Sequence, residues 1–163
     1  MKTIPLTQGQ VALVDDADYE ALIQFKWFAV KEKGGRIYYA ARNKRLPNGR
    51  RQMVQMHRDI LGVTDPKEKV DHENSCGTDN RRRNIRVTTN ALNIANSRKR
   101  RGCTSNFKGV YLDVKAKANP WRAAVGGKTR VNLGSFSTEL QAARAYNRAA
   151  KQSFGKFARL NQI

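Results

Sequence analysis

Apolar residues in the first two thirds of this chain come in short runs separated by polar, turn-forming stretches, a pattern of short strands with little helix. Val11-Ala12-Leu13-Val14 reads as a strand. Asp15-Asp16-Ala17-Asp18 supplies a polar cap for a short helix through Tyr19-Glu20-Ala21-Leu22-Ile23. Trp27-Phe28-Ala29-Val30 and Ile37-Tyr38-Tyr39-Ala40 flank Gly34-Gly35 as the arms of a hairpin. Leu46-Pro47-Asn48-Gly49 makes the next turn, before a strand at Gln52-Met53-Val54-Gln55-Met56. His57 to Leu61 predicts one or two helical turns stopped by Gly62. From 65 to 97 the predicted order is strand (Lys69 to His72), loop (Ser75 to Asn80), strand (Ile85 to Thr88) and helix (Asn90 to about Arg98). So small a unit can hold functional groups around one point only if a metal or an outer layer braces it, and residues 1–64 are the layer at hand.

The periodicity then lapses. Ser97-Arg98-Lys99-Arg100-Arg101-Gly102-Cys103-Thr104-Ser105 has no apolar repeat and reads as a flexible basic linker. Beyond it Gly109-Val110-Tyr111-Leu112, Trp121-Arg122-Ala123-Ala124-Val125 and Arg130-Val131-Asn132-Leu133 predict three strands, with Gly126-Gly127 as a turn. Ser137 is placed to cap a helix from Thr138 to about Phe154, with an apolar stripe of Leu140, Ala143, Tyr146, Ala149 or Ala150, and Phe154 before Gly155. Strand alternation sends Trp121, Ala123 and Val125 toward that helix and Arg122 and Ala124 outward. The predicted fold class is α+β: a β-rich region (1–64) leading into a strand–strand–helix core (65–97), together one domain over 1–97; a linker over 98–105; and a three-stranded antiparallel sheet with one packed helix over 106–163.

Charge narrows the partners. The chain has 163 residues with 32 Lys and Arg against 13 Asp and Glu, a formal charge of +19 and a pI near 10.6. Each phosphate contact releases condensed counterions, so such a chain suits an extended polyanion. A membrane partner is not expected, since no apolar run approaches the roughly 20 residues of a spanning helix. The first residues lack a secretory apolar core, which points to the cytosol. With two Cys, two His and no Cys-x-x-Cys pair, no zinc site is expected. Cys76 and Cys103 read as plain small side chains.

Candidate chemistry lies in the middle. Asp71 and Asn93 offer the hard oxygen ligands that suit magnesium, with manganese as a substitute, because such an ion keeps waters and substrate phosphate oxygens in its shell. His72 is placed to take a proton from water, its ordinary pKa near 6.5 leaving the imidazole neutral at physiological pH. Asn84 reads as an orienting residue that holds the inter-strand loop so that His72 faces water. Asn96 shares a helix face with Asn93 and is a secondary candidate. His57 reads as a buried neighbour rather than a direct participant. Arg81, Arg82 and Arg83 could clamp a nucleic-acid backbone, as could Arg98, Lys99, Arg100 and Arg101. Adjacent strand residues point to opposite faces, so a site shared by Asp71 and His72 calls for a bend between them.

Four spaced pieces carry a family resemblance: Met56-His57-Arg58, Val70-Asp71-His72, Asp79-Asn80-Arg81-Arg82-Arg83-Asn84-Ile85-Arg86 and Thr88-Thr89-Asn90-Ala91-Leu92-Asn93. Residues 53–97 resemble the HNH endonucleases, particularly the homing type with asparagines in the second and third motif positions. The resemblance implies a ββα-metal fold that cleaves or nicks DNA, with the same orienting role for Asn84.

Further on, Phe107-Lys108-Gly109-Val110, Trp121-Arg122-Ala123, Val131-Asn132-Leu133-Gly134-Ser135-Phe136, Tyr146-Asn147-Arg148-Ala149-Ala150 and Leu160-Asn161 are similar to the plant ethylene-response-factor (Apetala-two) type of DNA-binding domain. In that family the sheet enters the major groove. Carried over by position, Lys108, Tyr111, Arg122, Arg130 and Asn132 are the groove-facing candidates, while Trp121 reads as core. Tyr111, Asp113 and Asn132 depart from the plant pattern, so the target sequence is not inherited. The combined expectation is a metal-dependent, site-directed homing endonuclease on double-stranded DNA, acting as a monomer or weak dimer and nicking one strand. The paired resemblance implies a phage or mobile element working in bacterial or phage-infected host cytosol. The alternatives are a non-catalytic DNA-binding regulator with an inert nuclease module and, third, an RNA-binding protein.

Overall fold

A computed structural model describes residues 1–163 apart from 33, 34, 36, 127 and 128. The expected turn residues Gly34 and Gly127 therefore lie outside the described residues. The elements confirm the α+β class, and the contacts divide the chain into two compact units, Met1–Thr89 and Asn90–Ile163.

The first unit is made of small sheets around one apolar cluster. Strands β1 (Lys2–Pro5) and β2 (Val11–Val14) pair antiparallel, and helix α1 (Asp16–Ile23) follows from an N-cap at Asp15. Strands β3 (Phe28–Lys31), β4 (Tyr38–Arg45) and β5 (Arg51–Gln55) form a meander in that order, and α2 (Met56–Ile60) adds a turn and a half before Gly62 at φ +65°. Strands β6 (Lys69–His72) and β7 (Ile85–Thr88) make a separate pair. Ile4, Val14, Leu22, Trp27, Met56, Ile60 and Ile85 close the core, and the buried Trp27 indole donates to the Leu22 carbonyl at 2.8 Å. β1 is the element that patterning does not reveal: of Lys2-Thr3-Ile4-Pro5 only Ile4 is buried.

The outer layer braces the inter-strand loop directly. The Leu13 N–H donates to Thr78 at 2.9 Å and the Asn80 N–H donates to the Leu13 carbonyl at 2.8 Å, so β2 lends its open edge to residues 78–80. A strand edge left with unpaired N–H and C=O groups is thereby satisfied by the loop it fixes.

In the second unit, helix α3 (Asn90–Asn96) precedes a sheet ordered β10-β9-β8, from β8 (Val110–Leu112), β9 (Trp121–Val125) and β10 (Val131–Phe136). Helix α4 (Glu139–Phe154) packs across it. Thr138, not Ser137, is the N-cap, its hydroxyl accepting the Gln141 N–H at 3.2 Å. Leu140 is 41% exposed, and the packed face is Ala142, Ala143, Ala145, Tyr146 and Ala150. Alanines there let the helix lie close over Ala123, which a leucine would prevent. Ala124 lies on the face away from α4, as alternation expects, yet is buried there, its N–H donating to the Gly109 carbonyl at 2.8 Å. The expected linker is structured at its end: Thr104 accepts the Leu112 N–H at 3.0 Å and Ser105 donates to Glu139 at 2.6 Å.

Gly109 carries the tightest constraint in this unit. Its φ is +75°, and a Cβ there would meet Tyr146 Cδ2 at 2.1 Å and the Ala124 carbonyl at 2.7 Å. Gly109→Ala should therefore destabilise the second unit by about 2–4 kcal/mol. A urea titration followed at the amide resonances of β9 and α4 checks this, and an unchanged midpoint would contradict the packing described.

Candidate functional site

His72 ends β6 with its ring 5% exposed. Its Nε2 lies 3.2 Å from the Asn80 Oδ1, and the Asn80 amide nitrogen donates to the Thr78 carbonyl at 3.2 Å, which aims the amide oxygen at the ring. Nε2 then carries the proton, and Nδ1 is the basic nitrogen of the neutral ring. Burial pushes the His72 pKa below the ordinary histidine value, outweighing the Asn80 hydrogen bond and the Asp71 and Asp79 charges that raise it. The ring is uncharged at neutral pH, the state a general base requires.

Asn84 acts on this arrangement from one step away. Its Oδ1 accepts the Asn74 N–H at 3.0 Å and its Nδ2 donates to the Asp79 carbonyl at 2.7 Å. The Asn74 side chain donates to Asp79 Oδ2 at 2.8 Å and accepts the Cys76 N–H at 2.8 Å. Asn84 thus ties the two ends of the loop, while the fully buried Asn80 makes the contact to the ring. Nothing in the sequence separates Asn80 from an ordinary turn asparagine; only the direction of its side chain marks it.

The expected bend between Asp71 and His72 is absent. The ladder runs through both, Asp71 opposite Arg86 and His72 opposite Ile85, and the chain turns only afterwards, with Ser75 at φ 57°. The neighbours divide accordingly. His72 meets Asn80, Tyr39 and His57, whereas Asp71 Oδ2 lies 3.0 and 3.2 Å from Nη2 and Nε of Arg86, which also reaches Glu73 at 3.2 Å. The cross-strand guanidinium lets a buried carboxylate sit in a regular strand, so the two side chains flank the strand end instead of converging.

Behind His72 lies an aromatic wall. The His57 ring centroid is 4.8 Å away at 84°, and Tyr39 lies 6.0 Å from His57 and 5.8 Å from His72. Gly77 lets the loop settle on that wall, since a Cβ there would come within 2.5 Å of the Tyr38 carbonyl and 2.6 Å of the Tyr39 ring. His57 is 4% exposed and its Nδ1 has no hydrogen-bond partner among the described residues. Burial first, then the His72 and Arg58 charges, push its pKa down to about 3.

Among the described residues no group of three or more His, Cys, Asp or Glu is disposed to hold a metal. Asn93 and Asn96 lie on α3, in the second unit, with Asn96 buried. Both cysteines are free and exposed.

The basic run divides its labour. Arg81 pairs with Asp79 at 2.5 Å, holding that carboxyl below its usual range, and Arg82 pairs with Asp18 at 2.6 Å while its N–H donates to Asp15 at 2.7 Å. Arg82 thus staples the loop to the N-terminal layer, while Arg81 braces the loop internally. Arg83 is exposed with no acidic partner within 4 Å among the described residues. Arg98, Arg100 and Arg101 are exposed and Lys99 half-buried, outside any helix or strand.

In the second unit the register places Tyr111, Arg122 and Ser135 in one row across the sheet and Ala124 and Asn132 in another on the same face, away from α4. Arg122 donates to Asp113 at 2.7 Å, and the Arg130 guanidinium sits 4.5 Å from the Tyr111 ring centroid. The Asn132 side chain accepts the Gly134 N–H across the β10 bulge at 3.1 Å. Lys108 is committed otherwise: its ammonium donates to the carbonyls of Ile94, Ala95 and Ser97 at the end of α3. Burial and the Arg159 charge lower its pKa to about 8. Trp121 packs against the core under α4.

No family profile matches this chain, and no solved structure matches it. It is similar to APETALA2-like protein 2 of Oryza sativa subsp. indica and to that of subsp. japonica, each 44% identical over 61 residues. The matched stretch is 36% of this chain and 13% of the rice proteins, so the chain spans only a small part of their length. The match supports a DNA-binding domain of the APETALA2 type here. Among the described residues no helix is long and apolar enough to cross a membrane.

The buried histidines make stability depend on pH. His57 is held neutral down to about pH 3 in the fold but takes a proton near pH 6.5 when unfolded, so below 6.5 the unfolded chain binds more protons. His72 shifts in the same direction. Stability is complete above pH 6.5 and declines as pH falls, by roughly 3 kcal/mol between pH 6.5 and 4 from His57 alone. Urea unfolding of the first unit at pH 7 and 4 should show that loss, and His57→Phe should reduce it to the part left by His72. A pH-independent wild type would contradict the burial.

Proposed function

We propose that this protein is a metal-dependent endonuclease that nicks double-stranded DNA, with its APETALA2-type domain supplying sequence recognition. The observation that carries the reading is the neutral His72, its Nε2 fixed by Asn80 and its loop tied by Asn84, at the end of a strand that also presents Asp71. His72 Nδ1 takes the proton from the attacking water. Asp71 would hold a divalent ion, magnesium by its preference for oxygen, and the HNH resemblance implies a ligand role for Asn93 as well. The bound ion supplies Lewis-acid stabilisation of the charge on the phosphate and the leaving oxygen. In-line displacement places base and leaving group on opposite sides of phosphorus. The regular ladder through Asp71 and His72 sends the two side chains to different sides of the strand, which counts against both acting on one phosphate unless the strand end rearranges.

One observation favours a second reading, a DNA-binding regulator without cleavage. The Asp71 carboxylate is already neutralised by Arg86 and is stable in the fold without a metal.

Nicking of a randomised target library in magnesium, with sequencing of the cut ends, separates the two. Wild type should cut at a defined site, and His72→Ala should slow cutting by about 10²–10⁴-fold with DNA affinity unchanged. Asn80→Ala should fall between them, and Asp71→Ala and Asn93→Ala should each raise the magnesium needed for half-maximal rate. If the wild type binds its site but cuts no DNA with any divalent metal, the regulator reading stands and the enzyme reading fails.

A further inference from the structure

The β4–β5 hairpin carries a run of cations that neither the candidate site nor the second unit absorbs. Lys44, Arg45, Arg50 and Arg51 are all exposed, and among the described residues none has an acidic group within 4 Å. Arg42 at the base of the same hairpin behaves differently. It pairs with Asp59 at 2.8 Å and lies over the Phe25 ring at 4.0 Å, so the fold has absorbed it.

The register sets Arg45 directly opposite Arg51. Like charges facing each other across an antiparallel pair destabilise a hairpin, so folding alone gives no reason for the pairing. The tip is nevertheless well made. The Leu46 N–H donates to Arg50 at 2.8 Å, the Gly49 N–H donates to Leu46 at 2.9 Å, Asn48 accepts the Arg50 N–H at 3.1 Å, and Gly49 takes φ +77°. The cations sit on a closed turn, so little backbone entropy is lost when a ligand engages them.

Alternation along β4 puts Tyr39, Ala41, Asn43 and Arg45 on one face, the face whose Tyr39 ring lies against His57 and His72. Six residues at about 3.3 Å each carry Arg45 roughly 20 Å from Tyr39. Along duplex DNA that distance is about six base pairs at 3.4 Å.

We propose that the β4–β5 hairpin is a phosphate-binding arm that grips the backbone of duplex DNA about six base pairs from the phosphate at His72, through Arg45, Arg50 and Arg51 with Lys44 beside them. Its position relative to a cut rests on the nuclease reading above; its binding to DNA does not. Charge complementarity selects the occupant, because a polyanion of regular phosphate spacing relieves the Arg45–Arg51 repulsion that the hairpin itself retains.

The test is binding of the full chain to duplex DNA in EDTA, by fluorescence anisotropy across a salt series, for wild type and the triple variant Arg45→Ala/Arg50→Ala/Arg51→Ala. Each lost phosphate contact makes the log–log salt slope shallower by about 0.9, so the triple variant should lose about 2 to 3. Arg45→Lys/Arg50→Lys/Arg51→Lys should keep the slope, which guards against a folding defect in the alanine variant. Removal of three cations elsewhere, Lys26, Lys67 and Lys151, should leave it within about one. An unchanged slope in the arm variant, or an equal loss in both alanine triples, overturns the proposal. Where nicking is also observed, hydroxyl-radical protection lost in the arm variant should lie about six base pairs from the cut. Where nicking is never observed, the slope alone still decides.

Discussion

The first unit depends on the Asn84 carboxamide, buried between the Asn74 N–H and the Asp79 carbonyl. A polar loop laid over a small core can stay in place only if its backbone groups find partners, and a buried amide left half-satisfied would cost about 1–3 kcal/mol. Asn84 satisfies both ends of the loop, β2 satisfies its middle through Leu13, and Gly77 lets it rest on Tyr39. Asn80 can meet His72 only because those three constraints agree. The chemistry proposed for His72 is thus a consequence of how the loop is folded.

Electrostatics in this chain serve two ends. Its few acids are concentrated where folding needs them: Asp18 ties Arg82 to the N-terminal layer, Asp79 holds Arg81 within the loop, Asp59 holds Arg42, and Asp71 stays in a regular strand because Arg86 lies across from it. The cations without such partners, among them Arg83 and the β4–β5 tip, are left exposed. The net charge is therefore not spread evenly as a solubility device; surfaces built to stay unpaired are available to a polyanion.

Much of this was legible in the sequence, for identifiable reasons. Strand pairs with alternating patterns and Gly or Asn turns, such as β9 and β6–β7, announce themselves through local periodicity, and α4 through its alanine and tyrosine spacing. β1 did not, because a single inward residue makes no pattern. The offset of the α4 face, with Leu140 outside, depends on how closely the helix approaches Ala123, a tertiary distance that periodicity does not encode. The site residues divide in the same way. Asp71, His72 and Asn84 stand out through spacing, whereas Asn80 and the buried His57 gain significance only from what their side chains meet. Lys108 reads as a DNA contact by position in its motif, yet α3 gives its ammonium three carbonyls. Arg81 and Arg82 read as a phosphate clamp by charge, yet each is paired with an acid of its own, Asp79 and Asp18.

The account rests on His72 being a neutral ring with its proton on Nε2, set there by Asn80. Ring ¹⁵N chemical shifts of His72 at pH 7, in wild type and in Asn80→Ala, test that directly. The expected result is the neutral Nε2–H tautomer in wild type and a mixture of neutral tautomers once Asn80 is removed. A charged His72 in wild type, or an Nδ1–H tautomer unaffected by Asn80→Ala, would contradict it.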